Sequence, residues 1–140
     1  MMKCSNRKAP NPKSQIPNKS QIPITKTNFD LEERTFKFAK RIMLFVKKLP
    51  KNIPNIECAK QLVRSAGSVG ANYLEANEAL SKKDFKLRIK IARKEAKECA
   101  WWLRLILTIN KKEFEEEGKA LFREAIELKK IFSSILTKSK

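Results

Sequence analysis

Histidine is absent from the 140 residues, and that absence removes more chemistry than any other feature of the composition. Without an imidazole there is no Ser-His or Cys-His dyad and no His-containing zinc site. Cysteine is sparse too. Cys4, Cys58 and Cys99 fall at no metal-ligand spacing, and their odd, scattered count fits a reducing cytoplasm better than a disulfide framework. Only three glycines occur, and five of the six prolines precede residue 51. So few turn residues suit long helices with short connections rather than a many-stranded β fold. No apolar run is long enough to cross a membrane. The basic start, Met1 to Lys8, is followed by no apolar stretch, which argues against a signal peptide.

Acid is the other shortage. Fifteen Asp and Glu face 32 Lys and Arg, a net charge of +17. Such an imbalance speaks of partners rather than of fold. It reads either as the general character of a basic soluble protein or as provision for a polyanion, of which RNA suits dense Lys and Arg best. A membrane surface fits less well, because no separate basic amphipathic anchor is present.

Residues 1–28 stand apart from the rest. They hold Lys3, Arg7, Lys8, Lys13, Lys19 and Lys26 without a single acid, and Lys13-Ser14-Gln15-Ile16-Pro17 recurs as Lys19-Ser20-Gln21-Ile22-Pro23. Their proline content and lack of apolar periodicity predict a disordered basic tail. From residue 29 to 140 the pattern is helical. Apolar or small residues recur at alternating steps of four and three along four seams. The first is Leu31, Thr35, Phe38, Ile42, Phe45, Leu49; the second Ala59, Leu62, Ala66, Val69, Tyr73, Ala76, Leu80. The third is Phe85, Ile89, Ala92, Ala96, Cys99, Leu103, Ile106; the fourth Phe114, Gly118, Leu121, Ala125, Leu128, Phe132, Ile135. Such seams predict an all-α, antiparallel up-down-up-down four-helix bundle, with helices over about 30–49, 55–80, 82–109 and 111–137. Asn55 is expected to cap the second helix. Ser81 with Asp84, and Asn110 with Glu113, have the spacing of capping boxes for the third and fourth.

Each helix also carries more apolar surface than one seam needs: Phe36, Met43 and Val46 on the first, Ile91, Trp102, Leu105 and Ile109 on the third, Phe122, Ile126 and Ile131 on the fourth. Self-association is the natural use for that surplus. Gly67-Ser68-Val69-Gly70 superficially resembles a backbone-clamping loop. It falls in mid-helix among small residues, where close approach of a neighbouring helix explains it better.

The third helix has the most suggestive surface. Lys86, Lys90, Lys94, Lys97, Trp101 and Arg104 recur at steps of three or four, and Lys82, Lys83, Arg88 and Arg93 widen the stripe. The cations read equally as a solvated face or as a grip on phosphates. Trp101 is expected to be a packing element, as large aromatics in bundles usually are. Glu75, Asp84, Glu95 and Glu98 are expected to make salt bridges or caps. Dimetal bundle sites need Glu-x-x-His motifs, so no metal, no other cofactor and no catalytic role is expected.

The run Gln61-Leu62-Val63-Arg64-Ser65-Ala66-Gly67-Ser68-Val69-Gly70-Ala71-Asn72-Tyr73-Leu74-Glu75-Ala76 resembles the core of the bacterial four-helix-bundle proteins found in intervening sequences of 23S rRNA genes. So do Ser81 to Phe85, Ile91 to Glu98, and Trp102-Leu103. The resemblance covers roughly residues 29–137 and leaves the tail outside. It implies an up-down bundle that is usually a homopentamer, and it implies no reaction. Relatives include accessory proteins of diversity-generating retroelements, basic pentamers that bind a reverse transcriptase and nucleic acid. By position, Arg64, Asn72, Glu75, Asp84, Glu95 and Glu98 carry over as polar contacts between helices or subunits. The resulting expectation is a cytoplasmic, homo-oligomeric binder of RNA or DNA. The alternatives are an accessory subunit of a nucleic-acid enzyme and a purely structural bundle.

Overall fold

The structure is a computed structural model. It describes the backbone of residues 21–140 and side chains from residue 30. Helix α1 is Gln21–Lys48, α2 Ile53–Asn77, α3 Lys82–Ile109 and α4 Glu115–Lys138. A single 3₁₀ turn, Lys112–Phe114, leads into α4, and no strand occurs among the described residues. The first helix starts ahead of position 30, so residues 21–28, placed in the tail by composition, have helical backbone. Pro23 stands in the first turn, where the missing N–H has no intrahelical partner to lose. The tail expected over residues 1–20 lies outside the described residues. Contacts divide the chain into residues 1–31 and 32–140; the packing that follows is within the second unit.

Cross-helix pairs set the topology. Glu32 meets Asn77 while Thr35 lies against Gly70. Arg64 meets Glu98 while Asn72 meets Arg88. Leu107 lies against Gly118 while Arg93 reaches Ser133. Arg34 holds Glu124 while Arg41 holds Glu117. In every set one number rises as the other falls, so all four neighbouring pairs run antiparallel, and each helix touches the next around the square. Short connections permit nothing else.

The seams are the core. Phe38, Ile42, Phe45, Leu49, Leu62, Val69, Tyr73, Ile89, Leu103, Ile106, Leu121, Leu128 and Phe132 are buried, with Ala66, Ala76, Ala92, Ala96 and Ala125 between them. Each large side chain withdrawn from water contributes about 1.5–3 kcal/mol. Ala59, Phe85, Phe114 and Ile135, at the ends of the seams, are half-buried, and Leu80 is fully exposed. Helix α2 ends at Asn77, so the helical period no longer aims residue 80 inward.

The cap at Ser81 forms as expected: its hydroxyl accepts from the Asp84 N–H at 3.0 Å. The other two expected caps do not. Asn52, not Asn55, caps α2 and accepts from the Asn55 N–H at 3.0 Å, because Pro54 occupies the first turn and moves the helix start forward. Asn55 is buried, and its amide donates to the Pro50 carbonyl and to Asn110 Oδ1 at 3.0 and 2.9 Å. Asn110 returns a bond to Asn55 Oδ1 at 2.8 Å and donates to the Ile106 carbonyl. It therefore closes α3 rather than opening α4, which starts without a side-chain cap but with Glu115, Glu116 and Glu117 in its first turn.

Candidate nucleic-acid interface

Helix α3 has three surfaces of different chemistry. The first, around Ile89, Ala92, Ala96, Cys99 and Leu103, is core. Burial there pushes the Cys99 thiol well above its ordinary range, with Glu95 and Glu98 adding to the effect. Cys99 therefore stays a neutral packing atom.

The second surface faces α2 and is polar. Arg64 Nη2 donates to Glu98 Oε1 at 3.1 Å, to Glu95 Oε1 at 3.4 Å and to Ser65 Oγ at 3.1 Å. Glu95 is buried, so the single guanidinium balances a carboxylate removed from water. About two turns further on, Asn72 Nδ2 donates to the Ser68 carbonyl while its Oδ1 accepts from Arg88 at 3.4 Å. Arg88 Nε lies 3.9 Å from Asp84, too far for a hydrogen bond. Five of the six motif residues, Arg64, Asn72, Asp84, Glu95 and Glu98, thus form two clusters along one helix pair, and Glu75 stands exposed outside them. Among the described residues no group of His, Cys, Asp or Glu could hold a metal ion. Ser65 was not singled out by the sequence, and Arg88, expected to widen the basic stripe, turns instead to Asn72 on α2. Their signal was a polar side chain beside seam positions Leu62, Ala66 and Ile89.

The third surface faces outward. Lys83, Lys90, Lys94, Lys97, Trp101 and Arg104 are exposed and Lys86 is half-buried. From Lys83 to Arg104 the line runs about 31 Å at the helical rise. Glu95 and Glu98 turn to Arg64 on α2, and Asp84 is the one acid beside the line, at its N-terminal end next to Lys83, Lys86 and Lys90. Among the described residues no ion pair engages Lys83, Lys86, Lys90, Lys94, Lys97 or Arg104. The remaining two candidates leave this line: Lys82 donates to the Lys140 carbonyl and Arg93 to Ser133 Oγ on α4.

The two tryptophans separate. Trp102 is half-buried, whereas Trp101 is 53% exposed, with the Arg104 guanidinium 6.0 Å from its ring centroid. Within its own bundle Trp101 is thus not the packing element expected of it. Residue 101 follows Lys97 by four on the outer face, and one position decides between the two environments.

Elsewhere on the bundle, α1 and α2 form an open apolar groove of about 610 Å³, lined by Val46, Leu49, Pro50, Ile56, Ala59 and Val63 together with Lys47, Lys51, Lys60 and Arg64. Exposed Phe36, Met43 and Leu74 extend the apolar character of these two helices. The seam pattern carried no sign of the groove, because it is lined mostly by residues beside the seams of two different helices.

The sequence profile of the 23S rRNA-intervening sequence protein family matches residues 27–134. The chain belongs to that family. A solved relative, a Bacteroides thetaiotaomicron protein of unknown function from the S23 ribosomal protein family, shares 30% identity and superposes with a TM-score of 0.66. The match covers 79% of this chain and 97% of that one. No curated protein matches. The matched residues 27–134 include both the polar α2–α3 contact and the basic outer face of α3. Among the described residues no helix is long and apolar enough to cross a membrane.

Proposed function

We propose that this chain is a non-catalytic basic bundle that assembles with copies of itself, five being the expected number, and binds nucleic acid through the outer face of α3. The observation that carries the reading is the line Lys83, Lys86, Lys90, Lys94, Lys97 and Arg104, none of which is ion-paired among the described residues. Cations held on a rigid helix without internal counter-charge are available to phosphates. The family description refers to 23S rRNA, which makes RNA the polyanion to test first. Exposed apolar side chains on α1 and α2 support self-association, and a symmetric assembly repeats the basic line and turns weak contacts into avidity.

The test is binding of RNA across a salt series. Affinity should fall steeply as salt rises, since each neutralised phosphate releases counterions. Lys90→Glu, Lys94→Glu and Lys97→Glu together should abolish binding while circular dichroism stays unchanged, because all three side chains point to solvent. Failure of the wild-type protein to bind RNA or DNA at about 50 mM salt would overturn the reading. A second reading, an accessory subunit that docks a nucleic-acid enzyme such as a reverse transcriptase, draws on the apolar, lysine-containing α1–α2 groove. Co-purification of such an enzyme that survives the triple α3 variant would favour it.

A further inference from the structure

Trp101 gives the basic face a feature that electrostatics alone does not require. It lies in the same line as Lys94 and Lys97, more than half exposed, with Arg104 over its ring. Leaving a large aromatic in water forgoes the burial that would stabilise the fold, whereas the adjacent Trp102 is half-buried. A guanidinium over one side of an indole restricts the ring and makes it a cationic platform. Such a platform accepts the face of a nucleobase, while the lysines N-terminal to it, spaced by about one helical turn, follow the backbone phosphates. In a duplex the bases are already paired and stacked, so their faces are closed to an exposed indole. Only an unpaired base can use Trp101.

We infer that the outer face of α3 binds single-stranded nucleic acid in preference to duplex, with one base stacked on Trp101 and the phosphates that follow it held by Lys97, Lys94 and Lys90. This rests on the polyanion reading above and adds strand selectivity to it. No hydrogen-bonding group on the face is committed to base edges, so sequence preference should be weak.

The experiment measures affinity of the full chain for a labelled RNA strand of about twelve nucleotides, its DNA counterpart and the corresponding duplexes, at one fixed low salt. The single strands should bind more tightly than the duplexes. Trp101→Ala should weaken single-strand binding by about tenfold or more and leave duplex binding and the salt slope as they were. Trp101→Phe, which keeps a ring, should retain most of the affinity. In a Trp102→Phe background the remaining indole should be quenched by the single strands and not by the duplexes. The RNA and DNA arms identify the source of the strand, and preference over duplex in either supports the inference. Equal loss of single-strand and duplex affinity in Trp101→Ala, or no loss, overturns it while leaving the electrostatic reading standing. A change in light-scattering mass caused by Trp101→Ala also overturns it, because Trp101 would then pack between copies. Wild-type protein that binds neither form overturns both readings.

Discussion

At the residue scale the glycines show how one residue type serves different ends within helices. Gly118 is buried where α4 crosses α3 and α1. A methyl group there would come 2.5 Å from Leu107 Cδ2 and 3.3 Å from Phe45 Cζ, so both side chains must shift. Gly70 faces Thr35, whose Oγ1 would lie 3.1 Å from an added Cβ. That threonine is stiffened by β-branching and by its bond to the Glu32 carbonyl. Gly67 meets nothing within 4 Å, and in an exposed helix interior glycine costs about 0.5–1 kcal/mol relative to alanine. Gly67→Ala is therefore expected to raise the thermal midpoint and Gly118→Ala to lower it, by about 1 kcal/mol in each case. A fall for Gly67→Ala in melts followed by circular dichroism would contradict the open surface seen here.

At the scale of elements, the two helix corners at one end of the bundle are tied by a reciprocal amide pair. Asn55, at the start of α2, and Asn110, at the end of α3, exchange hydrogen bonds of 2.9 and 2.8 Å while each also satisfies a backbone carbonyl. Truncating either strands buried polar groups, which costs more than the net worth of the bonds lost. Asn55→Ala should lower stability by about 1–3 kcal/mol in denaturant melts, and adding Asn110→Ala should cost less than the sum of the two single changes. Strict additivity would mean that the amides act separately. The polar α2–α3 seam shows the same logic on the lateral surface. Arg64 balances Glu95 and Glu98 with its own side chain half-exposed, so the pairing specifies the register of two helices more than it adds stability.

At the scale of the molecule, the distribution of surface chemistry points to assembly. One lateral face, between α1 and α2, is apolar with lysines in its lining. The outer face of α3 is cationic, whereas acid gathers at the α2–α3 contact and along α4, where Glu117 and Glu124 meet α1. Light scattering at micromolar concentration and moderate salt should give a mass several times the 16.2 kDa of one chain, with five copies expected. A mass of one chain would contradict the assembly. Very low salt is a poor condition for the measurement, since copies of a chain with a net charge of +17 repel one another.

Hydrophobic period alone determined that the chain makes four antiparallel helices and which side chains form the core, because burial of one stripe per helix is a local consequence of 3.6 residues per turn. The line of cations on α3 was legible for the same reason: residues three and four apart share a face wherever the helix sits. Other features depended on which helix lies beside which, and no local pattern carries that. The start of α2 at Asn52 and the union of Asn55 with Asn110 required two loops, distant in sequence, to meet at one end. That Arg64 serves Glu95 and Glu98, that Lys82 and Arg93 turn toward α4, and that Trp102 is sheltered while Trp101 is left in water were decided by the packing of neighbours. Tertiary contact chooses among partners that the helical period leaves equivalent, since a period specifies the direction in which a side chain points and never what it meets there.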